Sequence, residues 1–159
     1  MLRPTPDVPF LKPRGVGGFP LWKISNIAQF EERHPIGSKA SLALAPLIYA
    51  GGRRSDLVRL GKQDFRGGCL TFRQHKGRTL NPLAIDIPAL ADLQEVIYGT
   101  AIGDIAFLIG EQGWPFTVNG FCGWFRERSD RAGLTGLSAR RLRKAAATRA
   151  AENGALHIN

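Results

Sequence analysis

From Ala40 to Ala50 the sequence is apolar almost without interruption, and Leu42, Ala43, Leu44, Ala45, Leu47 and Ile48 leave a helix there with no polar face. A helix apolar nearly all round belongs at the centre of a core, because any surface position would expose part of it to water. Gly37-Ser38 launches it. Pro46 inside it removes a backbone donor and costs about 3 kcal/mol unless the helix kinks there. The run is also too short, and too interrupted by Ser41 and Pro46, to span a bilayer.

The way the chain leaves this helix is as informative as the helix itself. Gly51-Gly52 ends the apolar run, and Arg53 and Arg54 open what reads as a short helix through Leu60. A helix start already presents positive partial charge and unpaired N–H groups, so cations placed there are an unfavourable arrangement unless an anion joins them. Phosphate is the natural occupant. The arrangement recurs at Ser138-Ala139-Arg140-Arg141-Leu142-Arg143-Lys144, where Ser138 reads as the cap and Leu142, Ala145, Ala146 and Ala150 form an inward stripe up to Gly154. Four cations in the first two turns are disfavoured by about 0.3–1 kcal/mol each without a partner. Arg140 and Arg143 share a face, and Arg141 projects elsewhere. Alanines opposite the charges argue against a membrane-surface helix.

Around these features the chain reads as a mixed α+β domain, mainly helical. Residues 1–20 carry five of the ten prolines and are expected to form an extended arm, with one domain over 21–159. Ser25 or Asn26 opens a helix that stops before His34-Pro35. After Gly67-Gly68, Leu70 and Phe72 alternate with Thr71 and Arg73, and Leu83, Ile85 and Ile87 alternate with Ala84 and Asp86. The two runs predict an antiparallel hairpin with Lys76-Gly77-Arg78 near its tip. Pro88 opens a helix with Leu90, Leu93 and Ile97 at core spacing. Ile105 to Ile109 suggests a further strand. Thr117 caps a helix whose Phe121, Trp124 and Phe125 form an apolar stripe, with Arg126, Arg128 and Arg131 on its exposed side.

The charge balance fits a polyanionic partner: 22 Lys and Arg against 13 acids give +9 at neutral pH. Cys69 and Cys122 are too few for a disulfide framework, and they and His34, His75 and His157 show no ligand spacing, so no metal is expected. With no signal-peptide-like core at the N-terminus, the expectation is a soluble, cytoplasmic protein with no membrane partner.

Two arginine-bearing helix starts about ninety residues apart, with a lysine on a hairpin tip between them, form a set that resembles the catalytic domain of tyrosine recombinases, the phage-integrase family. The family's first signature, T-G-x-R-x-S-E, is similar to Ala50-Gly51-Gly52-Arg53-Arg54-Ser55-Asp56. The second, H-x-x-R, is similar to Arg140-Arg141-Leu142-Arg143, and Lys76 stands at the place of the hairpin lysine. The resemblance runs from about Leu21 to Gly154. It implies the DNA breaking-rejoining catalytic fold with a small antiparallel sheet, DNA as partner alongside an intact integrase or other recombinase subunits, and chemistry that uses no metal and no cofactor.

By the same resemblance, Arg53 and Arg143 would stabilise charge on the phosphate oxygens and Lys76 would act as general acid. Arg140 would fill the histidine position without being able to serve as a base. Arg54, Arg78, Arg141 and Lys144 would contact nucleic acid. The family's further His or Trp and its nucleophilic tyrosine have no counterpart among these residues. Tyr49 and Tyr98 lie in the wrong context, and no counterpart of the family's N-terminal core-binding domain is expected within these 159 residues. The expectation is a C-terminally truncated catalytic domain that does not cleave DNA on its own, with a non-enzymatic nucleic-acid-binding protein as the alternative.

Overall fold

The structure, a computed structural model, describes residues 21–74 and 83–155, with backbone alone for 149–155. Six α-helices run in the order α1 (Ile24–Arg33), α2 (Lys39–Tyr49), α3 (Arg54–Leu57), α4 (Ala91–Gly99), α5 (Val118–Arg131) and α6 (Ala139–Ala155). Three strands, β1 (Phe65–Arg66), β2 (Cys69–Arg73) and β3 (Ala84–Pro88), fall between α3 and α4. They form one antiparallel sheet in the order β1-β2-β3.

Helix α2 is the hub, as its composition requires. Every residue from Ala40 to Ile48 is buried, and α3, α4, α5 and α6 all pack on it. Ser38 caps its start by accepting the Ser41 N–H at 3.2 Å. Pro46 falls in the last turn, and the helix continues three residues beyond it. The Pro46 carbonyl still accepts the Ala50 N–H at 3.0 Å, so the helix closes normally after the ring.

A second layer of the core is aromatic. Phe30 of α1 stacks on Phe125 of α5 with centroids 5.3 Å apart, and Trp22 and Phe121 pack on the same Phe125 ring. Trp22, Phe30, Phe121 and Phe125 are all buried. Thr117 caps α5 through the Gly120 N–H at 3.0 Å, and Arg128 lies over the Trp124 ring at 5.2 Å.

The sheet follows the alternation in the sequence. Leu70 pairs with Ile87 and Phe72 with Ile85 on the inner face, while Thr71 pairs with Asp86 outside and donates its hydroxyl to that carboxylate at 3.0 Å. The hairpin tip, with Lys76 and Arg78, lies outside the described residues. Beyond the sheet, Lys62 and exposed Asp104 pair at 2.9 Å, and this hydrogen bond and charge hold the Asp104 carboxyl below its ordinary pKa.

Several local expectations are corrected. Lys23 is the cap of α1, with the Asn26 side chain accepting its N–H at 2.8 Å, so the polar residue serves from inside the first turn. Helix α3 is one turn long and stops at Leu57 rather than Leu60, because a 3-10 turn at Lys62–Asp64 leads straight into β1. Pro88 ends β3 instead of opening α4, and Leu90 is an exposed cap residue whose core place is taken by Val96. The run from Ile105 to Ile109 contributes one isolated bridge, Ile109 to Pro115, rather than a strand. Helix α6 passes through Gly154 to Ala155.

Candidate nucleic-acid interface

Helix α2 and the first signature meet at a turn that needs glycine. Gly51 has φ +58°, a left-handed conformation that a side chain disfavours, and Gly52 is buried beside the Pro46 carbonyl. The chain then extends through Arg53, whose N–H donates to the buried Asp56 carboxylate at 3.3 Å. Asp56 thus satisfies an orphan donor at the start of α3 and fixes the direction in which Arg53 and Arg54 emerge.

The second signature is held from the opposite end of the sequence. The buried Trp22 indole donates to the Ser138 carbonyl at 2.9 Å, one residue before α6 begins, and the Arg141 N–H donates to the same carbonyl at 3.1 Å. Leu142 is fully buried and Ala146 nearly so, which turns the helix so that Arg140 and Arg143 face outward together. Packing of α6 on α2 then brings this face to Arg53 and Arg54.

The result is a cleft of about 350 Å3 lined by Gly52, Arg53, Arg54, Ser55, Val118, Ala139, Arg140 and Arg143. Among the described residues, four guanidinium groups line it and no carboxylate does. Cations sharing one cleft repel one another until an anion neutralises them, and guanidinium presents paired N–H donors suited to phosphate oxygens. One turn of α3 carries little dipole, so the attraction rests on the arginines and on the start of the 17-residue α6.

Arg53, Arg54, Arg140 and Arg143 are therefore brought together from segments far apart in sequence. Arg141 and Lys144 are not among the described residues lining the cleft: Arg141 is half-buried on another side of α6, and Lys144 is exposed. Arg54 has a partner that the sequence did not signal, donating from its guanidinium to the half-buried Cys122 thiol of α5 at 2.7 Å. Ser55 and Val118 were also missed as cleft residues. Ser55 lies within the first signature and could have been found there; Val118 reaches the cleft only because α5 packs beside α3. Neither tyrosine is at the cleft. Tyr49 lines a separate cavity beside α1 and α4, and Tyr98 is largely exposed at the end of α4, edge-on to Phe65.

No protein-family model and no curated protein matches the sequence. Solved structures do match the fold. The crystal structure of XerA recombinase superposes with a TM-score of 0.70 at 14% identity, covering 88% of this chain and 52% of that one. A lambda integrase tetramer bound to a Holliday junction gives 0.65 at 17% identity, over 81% and 41% of the two chains. This domain has the tyrosine-recombinase catalytic fold. The lambda integrase catalytic core alone superposes at 0.62 and 17% identity over 80% of this chain and 81% of its own. These matches cover about four fifths or more of this chain, while the chain spans about half the length of the larger recombinase chains it matches. Among the described residues no helix is long and apolar enough to cross a membrane.

Proposed function

We propose that this domain holds a DNA phosphodiester in the cleft between α3 and α6 and serves site-specific recombination of the tyrosine-recombinase type, in the integration of a mobile element into cytoplasmic DNA. The observation that carries the reading is the convergence of Arg53, Arg54, Arg140 and Arg143 on one acid-free cleft. In this mechanism Arg53 and Arg143 bind the non-bridging oxygens and neutralise the charge that grows on them as phosphorus becomes five-coordinate. Arg140 adds a third donor. A tyrosine hydroxyl attacks phosphorus and gives up its proton to water, the bond to the 5′ oxygen breaks, and Lys76 supplies the proton that oxygen takes up, leaving a 3′-phosphotyrosyl link. Arg54, Arg78, Arg141 and Lys144 contact the DNA around this phosphate.

Because Tyr49 and Tyr98 both lie away from the cleft, the attacking tyrosine comes from outside these 159 residues, from further chain or from another recombinase subunit. The same observation supports a second reading, in which the basic face holds duplex DNA without cleaving it. A nicked suicide substrate distinguishes the two. The 159-residue chain alone is expected to bind it in a strongly salt-dependent manner and to form no covalent adduct. Adding an intact recombinase subunit should yield an adduct that Arg53→Ala in this chain diminishes if the domain takes part in catalysis, and leaves unchanged if it only binds. Failure of the chain to bind DNA at low salt would sink both readings. An adduct formed by the chain alone and lost in Tyr49→Phe or Tyr98→Phe would overturn the account of the nucleophile.

A further inference from the structure

Of the three tryptophans, Trp22 is buried and Trp124 is half-buried against Phe116 and Phe121, but Trp114 is 70% exposed. An indole left in water forgoes one of the largest apolar burials a side chain can make. Nor does this one sit on a loose segment. Ile109 bridges Pro115, the Gly110 N–H donates to the Trp114 carbonyl at 2.8 Å, and the Gly113 N–H donates to the Gly110 carbonyl at 3.0 Å. Gly113, at φ +82°, makes the tight turn possible. The backbone that presents Trp114 is fixed in advance, so a partner meeting the ring has little ordering entropy to overcome.

The position of this turn relates it to the cleft. Two residues on, Phe116 packs against Phe121 and Trp124 at 6.2 and 5.3 Å, anchoring the turn to α5. Thr117 then caps α5, and Val118 lines the basic cleft. Four residues of chain span at most about 14 Å, so Trp114 lies within that distance of the cleft wall. A DNA strand advances about 3.4 Å per nucleotide, so this distance corresponds to at most about four nucleotides from a phosphate held by the arginines.

We propose that Trp114 is a DNA-contact residue, packing its indole against the bases or sugars of the strand whose phosphate occupies the basic cleft. The proposal rests on the DNA-binding reading of that cleft. Its chemistry is apolar: the neighbouring Glu111 is exposed and acidic, so the turn offers phosphate no attraction, whereas aromatic rings stack on bases and wedge between base steps.

The test measures affinity of the 159-residue chain for a short random-sequence duplex across a salt series, together with tryptophan emission. Trp114→Ala is expected to weaken binding about tenfold with an unchanged salt slope, and Trp114→Phe to retain most of the affinity. Emission of the wild-type chain should be quenched by DNA, and Trp114→Phe should abolish that quenching. Binding by Trp114→Ala within twofold of wild type, with no DNA-dependent emission change, overturns the proposal. So does a shift in sedimentation of the free protein on Trp114→Ala, which would assign the ring to contact between copies. Salt-dependent binding that Arg53→Ala weakens and Trp114→Ala leaves alone removes this inference while the cleft reading stands; no DNA binding by wild type removes both.

Discussion

The basic cleft at the exit of α2 and the cavity between α1, α2 and α4 are built on the same central helix, yet their charges are opposed. Among the described residues, the first, about 350 Å3, is lined by four arginines and no acid. The second, about 230 Å3, is lined by Glu31, Asp92 and Glu95 together with His34 and Tyr49, and by no described lysine or arginine. His34 is tied down there, its Nε2–H donating to the Arg128 carbonyl at 2.9 Å. A net charge of +9 is therefore not spread evenly over the surface. Packing sorts it into one arginine-lined cleft that attracts anions and one acid-lined cavity that repels them.

The strongest way to break this comparison is at the basic cleft. Arg53→Ala and Arg143→Ala are each expected to weaken duplex binding by about 10- to 100-fold and to reduce the salt slope by about 1, measured by titration across a salt series. Effects as small as those of substitutions elsewhere on the surface would mean that the cleft is not where phosphate sits.

An intermediate effect is expected at Trp22, which lies outside both cavities but holds the start of α6. Trp22→Phe keeps an aromatic ring in the core and deletes the donor to Ser138. It should lower Tm by roughly 3–8 °C. Affinity should drop about two- to fivefold, since Arg140 and Arg143 are then less firmly placed. A drop in Tm with no change in affinity would show that the α6 start is held by its packing on α2 instead.

The smallest effect belongs to the acidic cavity. The double substitution Asp92→Asn with Glu95→Gln removes two charges from residues that share no lining position with the basic cleft, and exposed charges are screened over about 8 Å at physiological salt. DNA affinity is expected to change less than about twofold, in the direction of tighter binding. A tenfold gain would mean that DNA reaches this face as well and that the two regions are not functionally separate.

How legible each part was depended on whether its signal was local. The burial of α2, its start after Gly37-Ser38, the Thr117 cap and the alternation of β2 and β3 all follow from spacing within a few residues, and the structure agrees with each. Errors came where two local signals competed. Pro88 is acceptable both at a helix start and at the end of an edge strand, and pairing with Cys69 decided for the strand. Ser25 and Asn26 both have side chains that can bond an N–H and so read as cap candidates, and Asn26 does make such a bond, but from the third position of the helix. The third strand, β1, is two residues long and too short to show a period.

By itself the sequence determined that one helix would be central and that arginines would stand at two helix starts, because apolar periodicity and glycine placement act over single turns of chain. That those two starts face each other was decided by tertiary structure alone. Leu142 and Ala146 turn one face of α6 inward, Trp22 holds the helix at Ser138, and α2 offers a common surface on which α3 and α6 dock. Packing likewise set Arg141 apart from Arg140 and Arg143 and put Cys122 beneath Arg54. Residues distant in sequence become neighbours only through the apolar surfaces their helices bury, and local spacing carries no information about which of those surfaces will meet.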